Sequence, residues 1–333
     1  MRSTKSVILF LSLAAVVVIT SSWGFLVHKT AHQLAIYELP KGMQHFFYKN
    51  IDNIVQNAPR PDIRRNEDKN EGPRHFIDLE AFGDSAAWKM PLKWDDAVAK
   101  YSKDTLYKYG IVPYYVIRMK DKLTDAFKAG NADSILYYAA DLGHYIEDAN
   151  VPLHTSLNHD GQLTNQRGLH ALWESVVPEV EISNYNLHAK HKATYLKQPE
   201  LAIWTAVRRA HGLLPELFAK EKEVSKGFID STKYKMVFKY GKNLRYYTDA
   251  FAAAYGKSLK PTVNDQLINS ANLVADFWYT AWADAGKPDL DKLIAGGWNK
   301  ADKKAYKKEY KSYKRNQLVQ DSLLRSLKGS FRD

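Results

Sequence analysis

The chain of 333 residues contains no cysteine. That excludes disulfides, a thiolate nucleophile, a thiolate metal site and a cysteine-borne lipid. Any metal must be held by His, Asp, Glu and backbone atoms, which narrows the search to eleven histidines. No Gly-rich phosphate loop, serine elbow or adjacent-histidine protease motif occurs. A di-iron bundle requires Glu-x-x-His on paired helices, and the chain offers the reverse order at His144 and Glu147. Convincing alternating strands and internal repeats are also missing. The first 22 residues have a different character. Arg2 and Lys5 precede an apolar run over residues 7–20, and Thr20, Ser21 and Ser22 are small residues before Trp23. This is the pattern of a secretory signal, and the run is short for a bilayer span. Cleavage before Trp23 and a secreted or periplasmic chain are therefore expected over a retained anchor.

The formal charge of +11 is unevenly spread. Residues 299–333 hold 11 Lys and Arg against 4 Asp and Glu, while residues 23–298 hold 35 against 33. The basicity belongs to the C-terminal tail and says little about the substrate of the main domain. Tyr306, Tyr310 and Tyr313 lie among its lysines. A solvated basic helix is expected there, with contact to an anionic surface as the alternative. No obligate protein partner is implied.

Helical periodicity covers most of the rest. Residues 27–39 carry apolar or small side chains at Val27, Ala31, Leu34, Ala35 and Leu39, and Pro40 and Gly42 end the segment. An amphipathic helix follows over 43–55, then a charged loop over 59–73 with three prolines. Helices are expected over 95–109 and 113–127. Another spans 131–150, with Asn131 as N-cap and Ile135, Leu136, Ala139, Leu142 and Ile146 on its apolar side. Three long helical stretches follow at 200–224, 240–258 and 261–285, their aromatic residues serving as core. The fold class is all-α: one compact multi-helix domain over residues 23–298, with 45% hydrophobic content in the chain to build its core.

The stretch 144–174 carries the chemistry. His144 and Asp148 are four residues apart, as are His170 and Glu174. On a helix, each pair shares a face. Pro152 stops the first helix, and Gly161, Asn165 and Gly168 mark a loop before the second. His154 lies between the pairs. One such pair is ordinarily a satisfied core histidine or a surface ion pair. Two pairs with a histidine between them favour a metal site, and imidazole with carboxylate suits zinc.

Upstream, a chain beginning at Trp23 would offer its amino group and first carbonyl, then Gly24 and His28. Together with His75-Phe76-x-Asp78, these residues and the 144–174 constellation resemble the secreted tri-zinc family of bacterial phospholipase C and the single-strand-specific nuclease/3′-nucleotidases. The resemblance covers about residues 23–285. It implies three Zn²⁺: one on Asp62, His75, His144 and Asp148, one on Trp23, His28 and a bridging Asp148, and one on His154, His170 and Glu174. His32 rivals His28, and Asp68 rivals Asp62, because the Trp-Ala that precedes this aspartate in many nucleases is absent. His45, His159, His188, His191 and His211 match no motif.

The implied activity is hydrolysis of a phosphodiester by zinc-bound hydroxide. Asp62 would orient or deprotonate the water, Asp148 would bridge two metals, and a third zinc would stabilise the departing oxygen. Arg65 resembles a phosphate-contacting arginine, and Phe76 and Asp78 fall in the substrate-binding motif. Glu174 and the short gap from His154 to His170 lean toward a phospholipid head group as substrate. The run WESVVPE (173–179) leans toward single-stranded nucleic acid or nucleotide. A catalytically silent zinc-binding surface protein is the alternative of another class.

Overall fold

The computed structural model describes residues 24–239, 241–259 and 261–327. The signal-like segment and Trp23 lie outside the described residues. The expected mostly helical architecture is observed. Its centre is the helix Phe25–Glu38, in which Ala31, His32, Gln33, Leu34, Ala35 and Ile36 are all fully buried. A helix with no exposed face must be enclosed on every side. The helices Ile51–Asn57, Ala132–Asp148 and Thr262–Asp284 surround it, and Val112–Ala129 packs on the last two. Asn131 caps the helix Ala132–Asp148 by accepting from the Ser134 amide at 2.9 Å.

A second, smaller apolar cluster gathers Leu153, Leu169, Leu172, Trp173, Val177, Leu217, Tyr247, Phe251 and Tyr255. The residues of the 144–174 stretch are divided between the two. Tyr145, Ile146 and Ala149 belong to the large core, and Leu153, Leu169 and Trp173 to the small one. The metal-ligating candidates therefore collect along the seam.

Several expected elements divide. The stretch 200–224 is two helices, Pro199–Gly212 and Leu214–Ser225, with Pro215 in the first turn of the second, where its missing N–H costs nothing. The stretch 95–109 breaks at Ser102, which adopts φ 66° and caps the next helix. Part of the charged loop is a short helix, Arg60–Arg64. The expectations of no strands and of a helix over 240–258 are corrected. Strands β1 (Tyr234–Lys239) and β2 (Lys242–Tyr247) form an antiparallel hairpin, and the helix that follows spans Asp249–Ser258. Tyr234, Met236 and Phe238 alternate with Lys235, Val237 and Lys239, which is a strand period. Among the described residues, no helix is long and apolar enough to cross a membrane.

The C-terminal segment is helical over Lys300–Lys314 and packs against the domain. Its lysines mostly face solvent, but Tyr313, Leu318 and Leu324 enter the large core. Glu309 is buried and accepts from Tyr37 Oη and Tyr48 Oη, each at 2.6 Å, and from Gln33 Nε2 at 3.2 Å. It also pairs with Arg325, whose Nε reaches Asp52 at 2.7 Å. This charge cluster fastens the tail to the central helix. Glu309→Ala would leave the largely buried Arg325 without its main partner. Urea unfolding is expected to show a loss of about 3–5 kcal/mol, the usual effect of breaking one side of a buried pair.

Candidate metal centre

The cluster is built from four directions. His28 comes from the central helix, Asp62 from the short helix Arg60–Arg64, and His75 from the segment after it. His144 and Asp148 lie on the last turns of the helix Ala132–Asp148. His154 follows on a 3₁₀ turn, Pro152–Thr155, and His170 and Glu174 lie where a short helix widens into a π turn, Leu172–Val176. Pro178 accounts for the widening. It has no N–H to offer the Glu174 carbonyl, and the ladder slips so that Val177 N–H bonds Leu172 O.

Gly143 permits the close approach of the first and fourth of these elements. A Cβ there would stand 2.4 Å from His32 Nε2. Gly24, at φ 90°, lies against the site as well, since a Cβ on it would meet Glu174 Oε1 at 3.2 Å. Trp23, expected as the N-terminal ligand, lies outside the described residues, but the residue after it borders the cluster.

Among the described residues, three groups of donor atoms are close enough to share a metal ion: His28, His144 and Asp148; Asp62, His75 and His144; and His154, His170 and Glu174. Asp148 joins them. Its Oδ2 lies 2.9 Å from His75 Nδ1 and 3.3 Å from His144 Nε2. Its Oδ1 lies 3.4 Å from His154 Nδ1 and 3.9 Å from His28 Nε2. In the third group, His154 Nε2 is 3.0 Å from His170 Nε2, which is 2.6 Å from Glu174 Oε2.

Outer partners set the free nitrogen of each ring. His144 Nδ1 donates to Ala58 O at 3.0 Å, and His154 Nδ1 to His75 O at 2.8 Å. In each neutral ring this leaves the Nε2 lone pair facing the cluster. His28 Nδ1 bonds Glu147 Oε2 at 2.5 Å, while its buried Nε2 has no hydrogen-bond partner. That nitrogen faces Glu174 at 3.8 Å, Asp148 at 3.9 Å and Asp62 at 4.0 Å. Such separations are too long for hydrogen bonds and suit oxygens and a nitrogen that each stand about 2 Å from one ion. The residues fit a metal with nitrogen and oxygen ligands.

The rivals separate by geometry. Both nitrogens of His32 are turned to protein oxygens, Nδ1 to His28 O at 2.9 Å and Nε2 to Ala140 O at 3.0 Å. Asp68 pairs with Arg74 at 3.2 Å, outside the three groups. Asp62, 26% exposed, is the most open carboxylate of the cluster. Arg65 sits beside it, Nη1 to Oδ1 at 3.6 Å, and its charge reaches His170. Phe76 is half-buried. Asp78 is buried outside the ligand groups, where burial and Glu80 push its carboxyl up to about 6. His45, His159, His188, His191 and His211 stay out of the groups.

Two supporting carboxylates were not anticipated. Glu147 holds His28, and Glu71 faces His75 Nε2 at 3.4 Å while Arg64, at 2.8 Å, and Arg74 pair with it. Glu147 follows His144 by three residues, so the helix period was a signal for it; Glu71 had none beyond its place in a charged loop. Burial disfavours the charged form of Asp148, yet His144, His154 and His75 hold its carboxyl well below the usual range. Burial likewise opposes a proton on His28 and on His75. For His28, the Glu147 bond and charge outweigh burial and push the imidazole up to about 10. For His75, Asp148 and Glu71 do so, up to about 9.

No protein-family model matches the chain, and no curated protein matches it in sequence.

In the metal-free chain, both raised imidazoles hold their protons at neutral pH, and a ligating nitrogen must shed its proton. Metal binding at pH 7 is therefore expected to release about two protons from these rings. Zinc affinity should climb with pH and level off only above about 10, where both rings have lost their protons. Calorimetric titration in buffers of different ionisation enthalpy measures this; a pH-independent affinity would contradict it. A separate measurement concerns Glu147→Gln, which keeps the shape but removes the charge behind His28. Metal affinity is expected to fall about 10–100-fold, as for other outer-partner substitutions.

Proposed function

We propose that the chain is a zinc-dependent phosphoric-ester hydrolase of the phospholipase C type, with one ion on Asp62, His75, His144 and Asp148, one on Trp23, His28 and the shared Asp148, and one on His154, His170 and Glu174. The observation that supports it most is the division of Asp148, whose Oδ2 faces His75 and His144 while its Oδ1 faces the unpartnered Nε2 of His28, as suits a carboxylate shared by two metals. The motifs that resemble the tri-zinc phospholipase and nuclease family fall on the same residues.

Zinc bound there would ionise water at neutral pH and clamp the oxygens of an in-line displacement at phosphorus. The chain's own groups have separate tasks. Asp62, at the open side, orients the attacking water and takes its proton. The Arg65 guanidinium, beside Asp62 and half exposed, binds a phosphate oxygen. Asp148, deep in the cluster, keeps its charge and fixes the spacing of the histidines. A mature chain starting at Trp23 would add its amino group beside His28, and the position of Gly24 against Glu174 favours this.

The nuclease/3′-nucleotidase reading uses the same site, with the half-buried Phe76 as a stacking surface and Arg65 on phosphate. Glu174 and the short gap between His154 and His170 favour lipid. Assays of the purified mature protein on phosphatidylcholine micelles and on single-stranded DNA and RNA separate the two. Lipid hydrolysis is expected, abolished by a chelator and restored by zinc. Asp62→Asn is expected to lower kcat about 10²–10⁴-fold, the usual contribution of a positioned base. Fast nucleic-acid cleavage with inert lipid would transfer the assignment to the second reading, and zinc binding without turnover of either substrate would leave a silent metal protein.

A further inference from the structure

Residues 233–248 read KYKMVFKYGKNLRYYT: four lysines, one arginine, five aromatic residues and neither Asp nor Glu. They form the hairpin β1–β2, paired Tyr234 to Tyr247, Met236 to Arg245 and Phe238 to Asn243. Strand alternation puts Tyr234, Met236 and Phe238 on one face with Tyr247, Arg245 and Asn243. At the base this face is core. The buried Tyr247 ring lies 4.9 Å from Tyr234 and 4.9 Å from Phe251. Toward the tip the same face runs out of cover: Met236 is 64% and Phe238 72% exposed. Ile229, just before the hairpin, is 70% exposed.

Large apolar side chains bared together mark an interaction surface rather than ordinary scatter, and a two-stranded ribbon has no further layer to cover them. Cations stand on both faces of the ribbon. On the apolar face the Arg245 guanidinium stacks 3.4 Å over the Tyr234 ring and lies 3.5 Å from Asp230; on the opposite face are the exposed Lys242 and Lys235, the latter 2.7 Å from the exposed Asp249. Aliphatic and aromatic side chains bordered by Lys and Arg match the boundary between acyl chains and anionic head groups. A single-stranded nucleic acid would use flat rings and cations, but Met236 and Ile229 offer it no stacking surface.

The hairpin also stands next to the metal centre. A cleft of about 770 Å³ separates Lys233, Tyr234 and Arg245 from Arg167, Gly168 and Ala171, the residues around His170.

We infer that the hairpin is a membrane-docking prong, which seats Met236 and Phe238 in the head-group boundary of an anionic phospholipid surface beside the metal centre. This names the surface on which the proposed phospholipase acts and rests on that reading for its purpose; the docking itself is measured without turnover. The full chain is sedimented with vesicles of phosphatidylcholine alone and of phosphatidylcholine with phosphatidylglycerol. Binding to the anionic vesicles is expected, falling with added salt. The double variant Met236→Ser, Phe238→Ser should weaken it by about tenfold or more. Lys242→Glu, a charge reversal, should weaken it by about fivefold or more. All three side chains are exposed, so unchanged thermal unfolding confirms that the variants fold. Wild-type protein that ignores anionic vesicles, or a double variant that binds them as tightly as wild type, overturns the inference. It falls too if these substitutions abolish oligo-dT binding and leave vesicle binding intact. A chain that binds vesicles through the hairpin yet hydrolyses no phosphoester upholds the docking and removes the phospholipase reading.

Discussion

A buried negative charge on Asp148 is the constraint around which the molecule is arranged. A carboxylate 1% exposed is tolerable only when opposite charge or hydrogen-bond donors surround it. Here four histidines supply that environment, from the central helix, the 75 segment, its own helix and the following turn. Each ring is then held from behind, by Ala58 O, His75 O, Glu147 or Glu71. Behind Glu71 stand Arg64 and Arg74. Along the line through His75 the result is an alternation of carboxylate, imidazole, carboxylate and guanidinium, from Asp148 outward to Arg64 and Arg74. Without metal, the raised imidazoles of His28 and His75 supply protons beside the acids, a charge that bound ions would replace.

That arrangement also explains why the site lies on the seam of two apolar clusters. A single core would bury the imidazoles on all sides and leave no open edge. At the seam, Asp62 and His170 remain partly exposed while Asp148 and His144 do not. Burial thus increases from the rim inward, and a ligand can reach metal without any displacement of the structural charges. Gly143 lets the central helix approach the helix Ala132–Asp148, and the π turn at Leu172–Val176 is the local departure from regular helix that carries Glu174.

The ligand pairs were legible in the sequence because they obey the helix period. His144 with Asp148 and His170 with Glu174 must share faces once the segments are helical, and the turns around Pro152 and Gly168 were marked by residue type. His28 and Asp62 were reached only through the family resemblance, since nothing local distinguishes His28 from His32. Distance in three dimensions separates them: His32 spends both nitrogens on backbone carbonyls, and His28 keeps one free. The outer carboxylates were less legible still. Glu71 acts through space on His75, and its neighbours in sequence are the usual residues of a solvated loop. The hairpin was misread because its aromatic and cationic residues lack the β-branched enrichment of a buried strand, and the helix beginning at Asp249 lent its period to the residues before it.

Net charge proved the least informative signal, and the reason is geometric. The most basic segment, residues 299–333, points most of its lysines to water and uses a buried acid, Glu309, to attach itself to the domain. Its conspicuous charge accompanies a packing role. The hairpin has fewer cations, but they share a two-stranded ribbon with the bared Met236 and Phe238. A solvated lysine gains little from staying near an apolar side chain in water, and an exposed phenylalanine loses by remaining there. Only a partner that is apolar and anionic within a few ångströms improves both at once. Cations and exposed hydrocarbon carried by one thin ribbon, rather than the sum of charges along the chain, are therefore what single out the partner-facing surface.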